Sequence, residues 1–308
     1  MSVPGQHARR GDLIAVAVSA ACFSTLAVLT TLAYRFGVKP MPLLTWRFAI
    51  VSLLMAGYVA LSTPAALRVR AADLGRFAAM ALLGYGAASV CFFFALEYAS
   101  ASVVAMLLYT YPAMVGVAGA VFFGERLDWR RVSAIVLTFV GCALVVGLLS
   151  GRTQVRWQGV LLGLGAALGY TVFTMLSYRW ITEKPRSVLM TYTFGIAALG
   201  IGAMTLATGR SLSPVEWGWQ VWVLLGLIIL VPTFLAVILL FHGMSRLGTS
   251  RTAIVSTLEP LFTIGLAAIV LGDRLSITQW IGAALVLAGV LLAEWRPPSA
   301  GMDDMAVV

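Results

Sequence analysis

The chain has 308 residues, 61% of them hydrophobic and 11% charged, with a net charge of +9; an average soluble domain is about 25% charged. Twenty-one basic and 12 acidic residues cannot wet the surface of a soluble protein this long. Three cysteines, and 30 glycines without a three-residue period, exclude a disulfide scaffold and a collagen. The composition is that of an all-α polytopic membrane protein.

Ten apolar stretches of about 20 residues, each long enough to cross roughly 30 Å of hydrocarbon as a helix, alternate with short polar connections. A tail, 1–12, precedes the first, 13–33. Arg9 and Arg10 ahead of Ala20, Ala21 and Cys22 have the outline of a cleaved signal, but the apolar run continues to Ala33, the length of a full span. There follow 43–61, 77–97, 102–123 and 132–149, then 159–178, 188–208, 219–240, 250–271 and 277–295, and a second tail, 297–308. Gly159, Gly163, Gly165 and Gly169 give the sixth span two G-x-x-x-G pairs, a pattern for close helix packing. Cys22, Cys91 and Cys142 all fall within spans and read as small packing residues with no disulfide framework.

Lysine and arginine set the orientation. With the N-terminus in the cytoplasm, the inner segments carry Arg9, Arg10, Arg68, Arg70, Arg76, Arg126, Arg130, Arg131, Arg179, Lys184, Arg186, Arg246, Arg251 and Arg296. The outer ones carry Arg35, Lys39, Arg152, Arg156, Arg210 and Arg274. Both termini are therefore predicted cytoplasmic. The positive charge is spent on this bias, and without a basic tail or a basic-aromatic stripe nucleic acid is not an expected partner.

The chain repeats itself. Shifted by 148 residues, Ser102 meets Ser250, Pro112 meets Pro260, Gly124-Glu125-Arg126-Leu127 meets Gly272-Asp273-Arg274-Leu275, and Leu137, Gly141 and Leu144 meet Leu285, Gly289 and Leu292. A shift of 146 sets Thr45, Trp46 and Phe48 against Thr191, Tyr192 and Phe194. Apolar helices match one another cheaply; the prolines and the polar quartet do not. The expected organisation is two five-span units, 13–150 and 151–296, split near Gly151. Because five is odd, the second unit enters the membrane from the opposite side. Inverted repeats of this kind build secondary transporters whose substrate site lies near the midplane between the repeats.

Ten spans in a five-plus-five inverted arrangement, with Tyr111-Pro112 before Gly124-Glu125-Arg126-Leu127 and Leu258-Glu259-Pro260 before Gly272-Asp273-Arg274-Leu275, resemble the drug/metabolite transporter superfamily, specifically its EamA-type members. Arg47 early in the second span is similar to the family pattern as well. The resemblance covers roughly 12–295. It implies a multi-pass inner-membrane exporter of small metabolites, several relatives exporting amino acids, aromatic ones included.

There is no G-x-x-x-x-G-K-[ST] loop and no connection long enough for a nucleotide domain, so the chain itself is not driven by ATP. Neither an ATP-binding subunit nor a cofactor is expected. Coupling to protons requires an ionisable group within the membrane, and apart from Arg251 and Glu294 at the ends of their spans, only Arg47, Glu97 and Glu259 fall within the spans. Glu259 lies nine residues after Ser250, about 14 Å deep at 1.5 Å per residue, and Tyr111 lies equally far past Ser102. Both precede a proline, which removes one helix hydrogen bond and frees the carbonyls of Leu108 and Ser256. Two readings stand for Glu259: it binds a substrate ammonium or a proton, or it is buried against tyrosine or serine partners and locks the packing. Pro112 and Pro260 are the expected hinges of alternating access.

Arg47 is four residues into its span from the outside and Glu97 ends the third span on the same side, which predicts an Arg47–Glu97 ion pair at the outer interface. Gating, or meeting a substrate carboxylate, is the other role open to Arg47. Glu125, Arg126, Asp273 and Arg274 sit at helix exits, where ionic capping is expected. His242, with His7 one of only two histidines, reads as packing or solvated.

Ser24, Tyr85, Tyr109, Tyr111 and Tyr170 join Glu259 as cavity candidates, since a hydroxyl left unpaired in lipid is costly. Trp157, Trp180, Trp217, Trp219, Trp280 and Trp295, nearer span ends, read as interfacial anchors. A phosphate-ester carrier would want several basic groups at cavity depth, and an intramembrane enzyme a Ser/His, two-Asp or metal cluster; neither set is present in the spans. A channel or a non-transporting scaffold is the remaining alternative. The partners expected are a small amphiphilic solute, an amino acid above all, and the bilayer, around a nearly neutral cavity.

Overall fold

The computed structural model describes residues 10–124, 128–147, 156–180, 185–215 and 217–294, all helix and short connections. The expected boundary near Gly151, His7, Arg9, Glu125, Arg126, Arg152, Lys184, Trp295, Arg296 and the C-terminal tail lie outside the described residues. Among those described, nine helices are long and apolar enough to cross a membrane: Arg10–Arg35, Pro40–Ser62, Ala71–Ala95, Ala101–Phe122, Trp129–Val146, Trp157–Ser177, Arg186–Ala207, Trp219–Leu247 and Arg251–Leu271. The apolar stretch Ile277–Ala293 of the last helix is shorter. Side chains such as Leu53, Phe122, Leu199 and Ile269 are largely exposed, an arrangement that suits lipid rather than water.

Four helices depart from regular α geometry, three of them at a proline. The fourth breaks between Ala101–Leu108 and Tyr111–Phe123, and the ninth between Thr249–Ser256 and Leu258–Leu271. Pro112 is the second residue of its new segment and Pro260 the third, both in the first turn, where a missing N–H is not needed. The two segments end on Gly124 and Gly272, at φ +66° and +75°, a left-handed conformation open to glycine. The third and eighth helices carry π-turns at Met80–Gly86 and Leu230–Leu235, which hydropathy did not signal. In the eighth, Pro232 denies the Ile228 carbonyl its usual donor, and the Thr233 hydroxyl donates to that oxygen instead at 2.8 Å.

The second helix packs along the seventh, the third against the sixth, the first against the eighth, and the fifth against the last. Small residues permit these approaches. A Cβ at Gly169 would stand 2.7 Å from the Ala88 nitrogen, and one at Gly141 2.6 Å from the Gly282 oxygen. Asp273, just past the ninth helix, accepts from the Ser102 hydroxyl at 3.1 Å and from its N–H at 3.4 Å. This acid therefore caps another helix, where capping at the headgroups was expected. His242, expected to be packed or solvated, lies 3.3 Å from Asp12 and ties the eighth helix to the first.

Candidate functional site

Residues of the two helix breaks, with Tyr85 of the Met80–Gly86 turn, line a cavity of about 400 Å³. Its wall includes Arg47, Tyr85, Tyr109, Tyr111, Pro112, Tyr170 and Glu259, together with Phe23, Phe92, Phe93 and Phe173. The exposed Arg186 and half-buried Met244 also line it, so the cavity reaches the surface at the ends of the seventh and eighth helices.

Glu259 stands at the second position of the segment that follows the Thr257 break. The Tyr109 phenol, itself in the break of the fourth helix, is 2.8 Å from Glu259 Oε2 and 3.1 Å from the Ser256 carbonyl. Pro260 frees that carbonyl from its helix hydrogen bond. A phenol has one hydrogen to donate and here faces two acceptors. With the carboxyl ionised, Tyr109 donates to it; with the carboxyl protonated, the acid can donate to the phenol, whose hydrogen then serves Ser256. The arrangement holds both protonation states without leaving Glu259 unpaired.

Tyr109, Tyr111, Tyr170 and Tyr85 form a run of aromatic contacts along the wall. Ring centroids are 6.3 Å apart for Tyr109–Tyr111, 4.7 Å for Tyr111–Tyr170 and 6.5 Å for Tyr85–Tyr170, all tilted or edge-on. Phe173 packs edge-on to Tyr85 at 5.4 Å. The result is an aromatic surface with hydroxyls spaced along it, suited to a solute with an apolar body and few polar groups.

Two expectations are corrected. Arg47 does not pair with Glu97. It is 1% exposed, its Nε donates to Thr233 Oγ1 at 3.0 Å, and the rings of Phe48 and Phe93 stand 5.1 and 5.4 Å from its Cζ. Glu97 is exposed at the end of its helix. The π-turn at Leu230–Leu235 carries Thr233, and its hydroxyl holds the guanidinium in the protein interior. Ser24 does not line the cavity: it is buried, and its hydroxyl donates to the Ala21 carbonyl at 2.7 Å, a local helix bond. Pro260 is buried and does not line the cavity, whereas Pro112 does.

Sequence reasoning missed Thr233 and the cavity role of Arg186. Pro232 was the available signal for the first, since a proline inside a span leaves a carbonyl to be satisfied by a neighbouring hydroxyl. Among the described residues, no group of three or more His, Cys, Asp or Glu is placed to hold a metal.

The sequence model of the EamA-like transporter family matches residues 10–147 and again 157–295. An uncharacterized transporter of Bacillus subtilis, YcbK, is 25% identical over 300 residues, covering 93% of this chain and 94% of its own. A probable amino-acid metabolite efflux pump of Salmonella typhimurium is 25% identical over 229 residues, covering 68% and 75%. A solved crystal structure shares the fold with a TM-score of 0.66 at 19% identity, over 92% of this chain and 96% of that one. The chain belongs to the EamA-like transporter family and is a multi-pass membrane transporter rather than an enzyme.

Proposed function

We propose that the protein is a secondary transporter that exports small amphiphilic metabolites, amino acids above all and aromatic ones among them, across the inner membrane by alternating access. The observation that carries this reading is the cavity lined from both parts of the chain, with tyrosine hydroxyls and Glu259 on an aromatic wall. Small amphiphilic solutes fill such a space without needing several charges to hold them.

The mechanism rests on ten helices in two inverted units, 13–150 and 151–296, with both termini cytoplasmic. Two separate matches of one family model support a duplication. So does the pairing of helices: second with seventh, fifth with last, and third with sixth as first with eighth, each mapping onto itself or its counterpart when the units are exchanged. In this orientation the cavity mouth at Arg186 faces the cytoplasm. Bending at the breaks before Pro112 and Pro260 closes that mouth and opens the other side. Glu259 serves as the site for a substrate ammonium or an exchanged proton.

Counterflow in proteoliposomes tests the function. Saturable, trans-stimulated exchange of labelled amino acids is expected; flux that is linear and not trans-stimulated would indicate a channel, and none for any solute a scaffold. Crosslinking the two units across one face should abolish exchange, and undiminished exchange would refute alternating access.

A further inference from the structure

The nearly neutral cavity expected from the sequence contains a buried cation, besides the exposed Arg186 at its mouth. Arg47 is charged at any physiological pH, is 1% exposed overall, and lines the cavity. Thr233 fixes its Nε. The four N–H groups on its two terminal nitrogens have no acceptor among the described residues except the neighbouring Tyr85 phenol. No described carboxylate lies within ion-pair distance, since the acids that do pair are Asp12 and Asp73, with other partners. A buried cation without a counter-charge is costly, and removing it from water is compensated only when an anion with matching geometry is supplied.

We propose that Arg47 is the anchor for a carboxylate on the transported solute. The planar fork of its terminal nitrogens donates side-on to a carboxylate, while Phe93 and Tyr85 beside it, and Phe92 on the same wall, receive the apolar body. The recognised class is then amphiphilic organic acids, free amino acids included, and the corresponding amines are rejected because they bring a like charge to Arg47 and leave it unpaired. Phosphate esters fit less well, because Arg47 is the buried guanidinium on the wall while Arg186 is exposed at the mouth, and Glu259 lines the same cavity. This inference rests on the transporter reading above.

The experiment uses the full chain in proteoliposomes and solutes that differ only in charged groups. Labelled phenylalanine, 3-phenylpropionate and phenylethylamine are compared, then leucine with its desamino acid and its amine. The amino acids and desamino acids should exchange and compete, with the amines weaker by at least about tenfold, as expected when a buried polar group is left unpaired. Arg47→Gln should bring the acid-to-amine ratio close to one, and Arg47→Lys should keep part of it. The wild-type comparison needs no variant, so a poorly folding Arg47→Gln does not obscure the result. Amines that exchange as well as acids would overturn the role of Arg47 and leave the transporter standing. No exchange of any of these solutes would overturn the amino-acid reading and this inference with it.

Discussion

Tyr109 and Glu259 lie 150 residues apart in the chain and are joined by a hydrogen bond of 2.8 Å in the cavity wall. Each sits at a helix break, and the same phenol reaches the carbonyl that the proline after Glu259 has freed. Tyr109→Phe removes the donor from a half-buried carboxyl and a half-buried carbonyl. It should lower stability by about 1–3 kcal/mol, measured by thermal unfolding in detergent, and reduce exchange in the same preparations.

Glu259→Gln keeps an oxygen that accepts from Tyr109 but removes the titrating group. The fold should survive with little change in melting temperature. If the carboxyl carries the exchanged proton, wild-type exchange slows as rising pH strips that proton, and the Gln variant should show a flat profile. A variant that retains both the wild-type rate and its pH dependence would eliminate the ionisable role.

The breaks ahead of Pro112 and Pro260 persist because proline cannot continue the hydrogen-bond ladder. Alanine at either position restores the N–H and allows a continuous helix. Pro112→Ala and Pro260→Ala should each raise or preserve stability while slowing counterflow several-fold or more. Normal exchange in the double variant would show that bending at these points is dispensable.

Ser102 is fully buried and donates twice to Asp273, tying the start of the fourth helix to the end of the ninth. Asp273→Asn weakens a charge-assisted cap by about 1 kcal/mol. A cysteine at Ala105, one turn into the cavity from Ser102, should then be labelled faster by an impermeant maleimide added outside. An unchanged labelling rate would separate this contact from the opening of the cavity.

At Gly169 a Cβ would stand 2.7 Å from the Ala88 backbone nitrogen. Backbone cannot swing aside as a side chain can, so Gly169→Val should destabilise by about 1–3 kcal/mol or more. Gly57, whose Cβ would meet nothing within 4 Å, provides the control: Gly57→Ala should leave the melting temperature near that of the parent.

Hydropathy and proline positions were enough to find the nine membrane-competent helices among the described residues and the breaks ahead of Pro112 and Pro260. These features are local, and a local pattern is legible residue by residue. Long apolar runs must be helices in lipid because no water satisfies their backbone, and a proline must release a carbonyl wherever it falls inside one.

Which way a side chain points from such a helix is another matter. In a soluble helix the polar face marks the outside, but a helix apolar on every side carries no such mark. Arg47 could thus be expected to meet Glu97, since both lie toward the same end of neighbouring spans. Only the packed structure turned it inward, where the Thr233 hydroxyl on an irregular turn receives it. Ser24 and Tyr109 show the same division: both are polar groups in apolar helices, yet one satisfies itself on its own helix and the other reaches the opposite half of the chain. The sequence by itself determined that this protein spans the membrane and where its helices break, since solvation and backbone bonding depend on each segment alone. Tertiary structure decided which charges share the cavity, because that depends on the rotation of each helix against its neighbours.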